Sequence, residues 1–200
     1  MLDGPAGPLA VAVDRPAGAS RGVALITHPH PLYGGTMDNK VVQTLARAHV
    51  LAGWTAVRFN FRGVGQSAGS YDQGVGEVDD LLAVQRHLVS DQPWCLAGFS
   101  FGAFAAACGV NQTSKDSLHS LVLVGLAASR FEVPPLAPEL HNKALLLHGD
   151  ADETVPLQAV LDWAKPQSLP VLVLPGVGHF FHGQLPWLRG LVQRHLQSLG

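Results

Sequence analysis

The sequence predicts an α/β fold, a three-layer arrangement with a mostly parallel central sheet and helices on both faces. Three observations lead there. Short apolar runs rich in β-formers alternate along the chain with stretches whose apolar residues recur at helical spacing. Two of the runs, "SLVLVGLA" and "KALLLHG", are almost continuously apolar, as expected of strands covered on both faces. No internal repeat, linker or low-complexity segment interrupts the alternation, so residues 1–200 are expected to form a single domain.

Taken in order, "DGPAGP" reads as a turn leading into a strand, "LAVAVD". Only Met1 and Leu2 precede it, so a truncated amino-terminal hairpin is expected. "VALITH" (Val23 to His28) is the next strand. Thr36 offers an N-cap to a helix carrying Val41, Val42, Leu45, Ala48 and Ala52, which Gly53 ends. "TAVRFNF" is a strand. Glu77, Asp79 and Asp80 then open a helix, where carboxylates complement the dipole, and its apolar face is Val78, Leu81, Leu82, Leu88 and Val89. "WCLAGF" is a strand followed by the small-residue helix "FGAFAAACGV". Pro156 marks a helix start, "VLVLPG" is the last strand, and Leu188, Leu191, Val192, Leu196 and Leu199 define the final helix.

Composition excludes several classes. With 47% apolar and 14% charged residues the chain is neither disordered nor fibrous. A net charge of −2 and the lack of any basic run argue against nucleic acid as a partner. The longest apolar stretches fall well short of the ~20 residues of a membrane span, so no membrane partner is expected. The N-terminus has neither a basic start nor an apolar core, and Cys95 and Cys108 both sit in apolar contexts. Free buried thiols and a cytoplasmic location are expected.

The chemistry centres on "GFSFG", Gly98 to Gly102. A serine flanked in this way between a strand and a helix sits on a sharp turn that lifts its side chain clear of the sheet. A glycine-rich connection without catalysis has the same local pattern, so the partners decide. "LLLHGDADETVP" places acids just past a strand's carboxyl end, and "VLVLPGVGHFFH" places His179 just past the next. In an open α/β sheet that edge is where ligands bind. The order serine, acid, histidine along the chain is the one this type of site requires.

These residues carry a resemblance. "HPHPLYGGTMDNKV", "VRFNFRGVGQSAGSYD", "LAGFSFGA", "HGDADETV" and "GVGHFFH" span residues 28–182, and together they resemble the small bacterial α/β-hydrolases that are carboxylesterase-like and lack a lid. The resemblance implies the α/β-hydrolase fold without a cap domain. It implies Ser100 as nucleophile, His179 as its base and Asp152 as the acid that orients the histidine, with Asp150 as the competing acid and His182 as the competing histidine. Asp150 is expected to cap its loop, Glu153 to be solvated and His148 to be structural. It also implies no cofactor and no metal.

An oxyanion hole needs two backbone N–H groups. Phe101 supplies one, at the start of its helix. The other comes from the loop after "VALITH", where Pro29 and Pro31 have none, leaving His30 as the simplest donor and Leu32 or Tyr33 as substitutes. "GVGQSAG" misses dinucleotide spacing and is read as a folded turn with Arg62 as structural support. "HPH" has no third ligand in metal spacing.

Residues 128–142, with three prolines, are too few to build a cap. The site is therefore expected to be open, with Phe99, Phe101, Phe180, Phe181 and Tyr33 as apolar lining, and to take small esters with short acyl chains. A thioesterase or peptidase using the same residues, and a non-catalytic binding protein on the same fold, are the alternatives. A homodimer is left open.

Overall fold

The alternating pattern folds into a seven-stranded sheet with helices on both faces. The structure, a computed structural model, describes residues 1–90 and 92–199. Its strands are β1 (Leu2–Gly4), β2 (Gly7–Leu9), β3 (Val11–Asp14), β4 (Val23–Thr27), β5 (Thr55–Phe59), β6 (Trp94–Phe99), β7 (Leu118–Val124), β8 (Ala144–Gly149) and β9 (Val171–Leu174). The helices are α1 (Lys40–Leu51), α2 (Val75–Leu88), α3 (Phe101–Val110), α4 (Leu157–Ala164) and α5 (Leu185–Ser198). The main sheet runs β3-β5-β4-β6-β7-β8-β9. Only its edge strand β3 is antiparallel, pairing Val11 with Phe59 through Asp14 with Ala56.

The apolar strand runs have a simple cause. In β6, Trp94 and Leu96 face one core while Cys95, Ala97 and Phe99 face the other. Leu121 and Leu123 of β7 likewise oppose Val122 and Val124. Since successive side chains point to opposite faces, a strand buried on both must be apolar throughout. Helices α2, α3 and α4 cover the first face, and α1 and α5 the second.

The chain runs from β4 to β5 on one side of β4, then returns to β6 on the other. The connections leaving β4 and β6 therefore diverge at the carboxyl edge of the sheet. A crevice opens at such a reversal. Ser100 follows β6, and His30 follows β4.

Several expectations shift. The first arm of the amino-terminal hairpin is present, as β1, with Leu2 opposite Leu9. It forms a separate two-stranded sheet because the predicted strand "LAVAVD" breaks at Ala10, whose N–H donates to Ser67 Oγ at 2.9 Å. Helix α1 begins at Lys40, capped by Asn39, whose Oδ1 accepts from Val41 N–H at 2.9 Å. Thr36 caps nothing helical; its Oγ1 accepts from Asp38 N–H in the preceding turn. His182, the competing histidine, lies ahead of α5. Cys95 is buried and Cys108 half-buried, and both are free thiols.

The turn after β5 holds together through Arg62. Asp80 of α2, fully buried, accepts from Arg62 N–H at 2.9 Å, Nε at 3.1 Å and Nη2 at 2.8 Å. Asp80 thus belongs to this fork and not to the helix start: α2 begins at Val75, so of Glu77, Asp79 and Asp80 only Glu77 lies in its first turn. Between β7 and β8 the chain forms one 3-10 turn, Pro138–Lys143, which buries Leu140. No cap domain is inserted there. No helix among the described residues is long and apolar enough to cross a membrane.

Two buried core histidines are expected to weaken the fold in acid. His28 donates from Nδ1 to the Pro29 carbonyl at 2.6 Å and accepts at Nε2 from Phe61 N–H at 3.0 Å. His49 donates to the Leu45 carbonyl at 2.8 Å, and its Nε2 is buried with no partner. Burial holds both rings neutral, lowering each pKa from 6.5 to about 4. The folded pKa is below the unfolded one, so as pH falls below 6.5 the unfolded chain takes up these protons first. Their effect on stability is absent above that pH, grows down to about 4, and costs on the order of 3 kcal/mol for each ring. Urea midpoints should accordingly fall steadily between pH 7 and pH 4.5. In H49L that slope should be shallower; an unchanged slope would show that His49 does not carry it.

Candidate active site

The turn after β6 forces Ser100 into a backbone conformation that serine rarely adopts, φ 57° and ψ −116°. A non-glycine residue at such angles is strained and must be held by its surroundings. Ser100 N–H donates to the Val124 carbonyl at 2.8 Å, and the Ser100 carbonyl accepts from Ala103 and Phe104 in the first turn of α3. The flanking glycines are required by contact. A Cβ at Gly98 would overlap the Gly102 carbonyl, and one at Gly102 would lie 2.5 Å from the Thr27 carbonyl oxygen. Strand and helix can approach this closely only because both positions lack side chains.

His179 sits in the loop between β9 and α5, with its ring 4.9 Å from that of Phe99 and 5.1 Å from that of Phe180. Its Nε2 is 3.0 Å from Ser100 Oγ. On the far side, its Nδ1 is 2.6 Å from Asp152 Oδ2. A carboxylate can only accept, so Nδ1 carries the proton and Nε2 is left to accept from the serine hydroxyl. The three side chains are nearly buried, at 8%, 6% and 7% exposure for Ser100, His179 and Asp152.

Asp152 is fixed by the turn after β8. Its Oδ1 accepts from Thr154 N–H at 2.9 Å and Val155 N–H at 2.8 Å. Burial pushes its pKa up, but the hydrogen bonds from His179 and Val155 outweigh that, so the carboxyl stays below the usual range. It is ionised at neutral pH. His148 stands beside it, its Nε2 2.9 Å from the Val155 carbonyl and 3.4 Å from Asp152 Oδ2. Burial lowers the His148 pKa too, so it packs as a neutral ring under the acid.

The competing residues lie elsewhere. Asp150 is exposed, and its Oδ1 accepts from Gly176 N–H at 2.6 Å, tying two loops together. Glu153 and His182 are exposed and are not joined to the serine by any hydrogen bond among the described residues. The turn "GVGQSAG" holds Gly63, Gly65 and Gly69 at positive φ, and Ser67 Oγ donates to the Asn60 carbonyl at 2.7 Å.

A cavity of about 540 Å³ opens over Ser100, bordered by His30, Phe101, Tyr33, Phe131 and Arg130. Among the described residues the N–H groups of His30 and Phe101 donate to no acceptor. Those of Leu32 and Tyr33 are occupied: Leu32 N–H reaches His30 Nδ1 at 3.2 Å, and Tyr33 N–H the His30 carbonyl at 3.1 Å. Both residues with an unengaged N–H therefore border the cavity that opens over Ser100. Burial lowers the His30 pKa, so its ring sits neutral among Tyr33, Tyr71 and Phe101, with centroids 4.7, 4.9 and 5.0 Å away.

The aromatic lining differs from expectation. Phe99 and Phe181 are buried in the core behind the site, at 0% and 1% exposure. Phe101 and Tyr33 do line the cavity, whereas Phe180 lies outside it, against the outer side of His179. Phe131 and Arg130, from the connection after β7, complete the wall. Sequence reasoning missed both. The one signal was an Arg-Phe pair close behind the carboxyl end of a central strand. A second groove of about 760 Å³ runs between β3, α1 and α5, but none of the residues above lines it.

Comparison with known proteins agrees with this architecture. No protein-family model matches the chain. A solved α/β serine hydrolase without a lid, from Xanthomonas campestris, is 40% identical, covering 98% of this chain and 92% of that one, with a TM-score of 0.90. An α/β serine hydrolase homologue from Coxiella burnetii is 42% identical over 98% of this chain and 95% of its own, with a TM-score of 0.83. An uncharacterized protein from Rickettsia prowazekii is 36% identical over 172 residues, 80% of this chain and 71% of that protein.

Proposed function

Because the chain belongs to the α/β serine hydrolases that lack a lid, we propose that it cleaves small carboxylic esters with short acyl chains through an acyl-enzyme on Ser100. The observation that carries the reading is the unbroken line from Asp152 Oδ2 through His179 to Ser100 Oγ, under a cavity bordered by His30 and Phe101. In the first step Ser100 Oγ attacks the ester carbonyl while His179 Nε2 takes its proton. The oxyanion forms against the N–H groups of His30 and Phe101. His179 returns the proton to the leaving alcohol, and the C–O bond to it breaks. Water, deprotonated by the same nitrogen, then attacks the acyl-enzyme and releases the acid and Ser100. Asp152 keeps Nδ1 protonated and stabilises the imidazolium that forms.

The short-chain preference rests on the walls. Each methylene buried in an apolar pocket is worth about 0.8 kcal/mol, so an enclosing tunnel rewards every added carbon. Here Phe131 and Tyr33 border the cavity, and the connection between β7 and β8 adds only a 3-10 turn rather than a cap. Assay of 4-nitrophenyl esters from acetate to palmitate should give kcat/KM peaking at about two to six carbons. A steady rise to the longest chain would refute the open-site reading. Labelling by a fluorophosphonate should be stoichiometric. Failure to label, with no turnover of these esters, acyl-CoA or aminoacyl anilides, would favour a binding protein on this fold.

A further inference from the structure

We propose that Arg130 is a specificity determinant that selects esters bearing a carboxylate, an inference that rests on the esterase reading above. The observation is a cation without a counter-ion at the rim of the cavity. Arg130 lines the space over Ser100 and is exposed. Among the described residues it forms no ion pair, and its guanidinium lies over no aromatic ring. Glu132, two residues on, makes no ion pair either. No other Lys, Arg, Asp or Glu lines the cavity, and Asp152 is screened behind His179.

The backbone that carries this cation is held in place. The Ala127 carbonyl accepts from Arg130 N–H at 3.0 Å and from Phe131 N–H at 3.1 Å, closing a turn directly after β7. Phe131 then anchors that turn. Its ring stacks on Phe104 at 4.6 Å and 19°, and meets Phe101 edge-on at 5.3 Å. Arg130 therefore projects from a backbone pinned by aromatic packing, beside the residue that supplies one oxyanion donor. A guanidinium in this position offers a planar fork to a carboxylate, with two parallel N–H···O bonds. The hydrocarbon of a bound ester would lie against His30, Phe101 and Phe131 and exclude water from around the pair, strengthening it.

The test compares matched neutral and anionic esters in wild type, R130Q and R130K. One pair, 4-nitrophenyl hexanoate and mono(4-nitrophenyl) adipate, varies the acyl end. The other, 4-acetoxybenzamide and 4-acetoxybenzoate, varies the leaving group. R130Q should lower kcat/KM about 10-fold on at least one anionic ester and less than about 2-fold on its neutral partner, and the arm affected tells which end of the ester faces Arg130. R130K should restore part of the loss. Raising salt from about 0.05 to 0.5 M should weaken only the anionic reaction. Equal losses on both members of each pair would mark Arg130 as structural and overturn the inference, as would no loss on either anionic ester. Inactivity of the wild type on all four would overturn the esterase reading itself, and this inference with it.

Discussion

Replacing Ser100 with alanine should lower kcat on 4-nitrophenyl butyrate by about 10⁴–10⁶-fold and leave the folded protein intact. The two halves of this expectation have separate causes. The hydroxyl is the only atom lost, and in the proposed mechanism it forms the covalent bond. The fold is indifferent because Ser100 is held by its backbone, through Val124, Ala103 and Phe104, and those bonds survive the substitution. The strain at φ 57° is unchanged, since alanine bears the same Cβ. H179A should lose about as much as S100A, and the double variant little more, because the groups act as a unit. H182A should stay within about 3-fold of wild type, as an exposed ring outside the hydrogen-bonded line. Steady-state kinetics with thermal melts on the same samples decide it. Residual kcat within tenfold of wild type in S100A would end the covalent mechanism.

The sheet and the positions of the chemical groups were legible because their signals are local. A strand buried on both faces must be apolar along its length, so "VALITH", "WCLAGF" and "SLVLVGLA" announce themselves. Gly98 and Gly102 are dictated by one backbone approaching another, and that constraint appears in the sequence as glycine. Asp152 and His179 follow strand ends, and strand ends meet at one edge of a parallel sheet. What stayed hidden depends on packing between distant segments. The arms of the β1–β2 hairpin are three residues each, too short for any periodicity. Thr36 and Asn39 are both competent caps; Thr36 Oγ1 is taken by Asp38 N–H in a turn ahead of the helix, and Asn39 meets the helix instead. Phe99 looks like lining because it adjoins Ser100, yet strand alternation turns it into the core. Phe131 looks like loop, and only its stacking on Phe104 brings it to the cavity. Asp80 looks like a helix-start charge, and only the return of Arg62 from the turn after β5 makes it a buried anchor.

Exchange of Asp152 for asparagine should cost about 10³–10⁴-fold in kcat with little change in KM, by the same logic that applies to the acid of serine proteases. The geometry makes the reason specific. Oδ1 of residue 152 accepts from Thr154 and Val155 N–H groups, so an asparagine would keep its carbonyl oxygen there. Its amide nitrogen would then replace Oδ2, 2.6 Å from His179 Nδ1. Two donors cannot face each other, so the imidazole must move its proton to Nε2. That nitrogen would donate toward Ser100 Oγ instead of accepting from it, and the base would be lost while the site kept its shape. Asp150 makes the contrasting case. It is exposed, and among the described residues its side chain's one hydrogen bond is acceptance from Gly176 N–H, which an asparagine oxygen makes equally well. D150N should therefore retain activity within about 3-fold. Measuring kcat and KM for both variants against one ester separates the two acids. If D150N proves inactive while D152N turns over normally, Asp152 is not the group that orients His179.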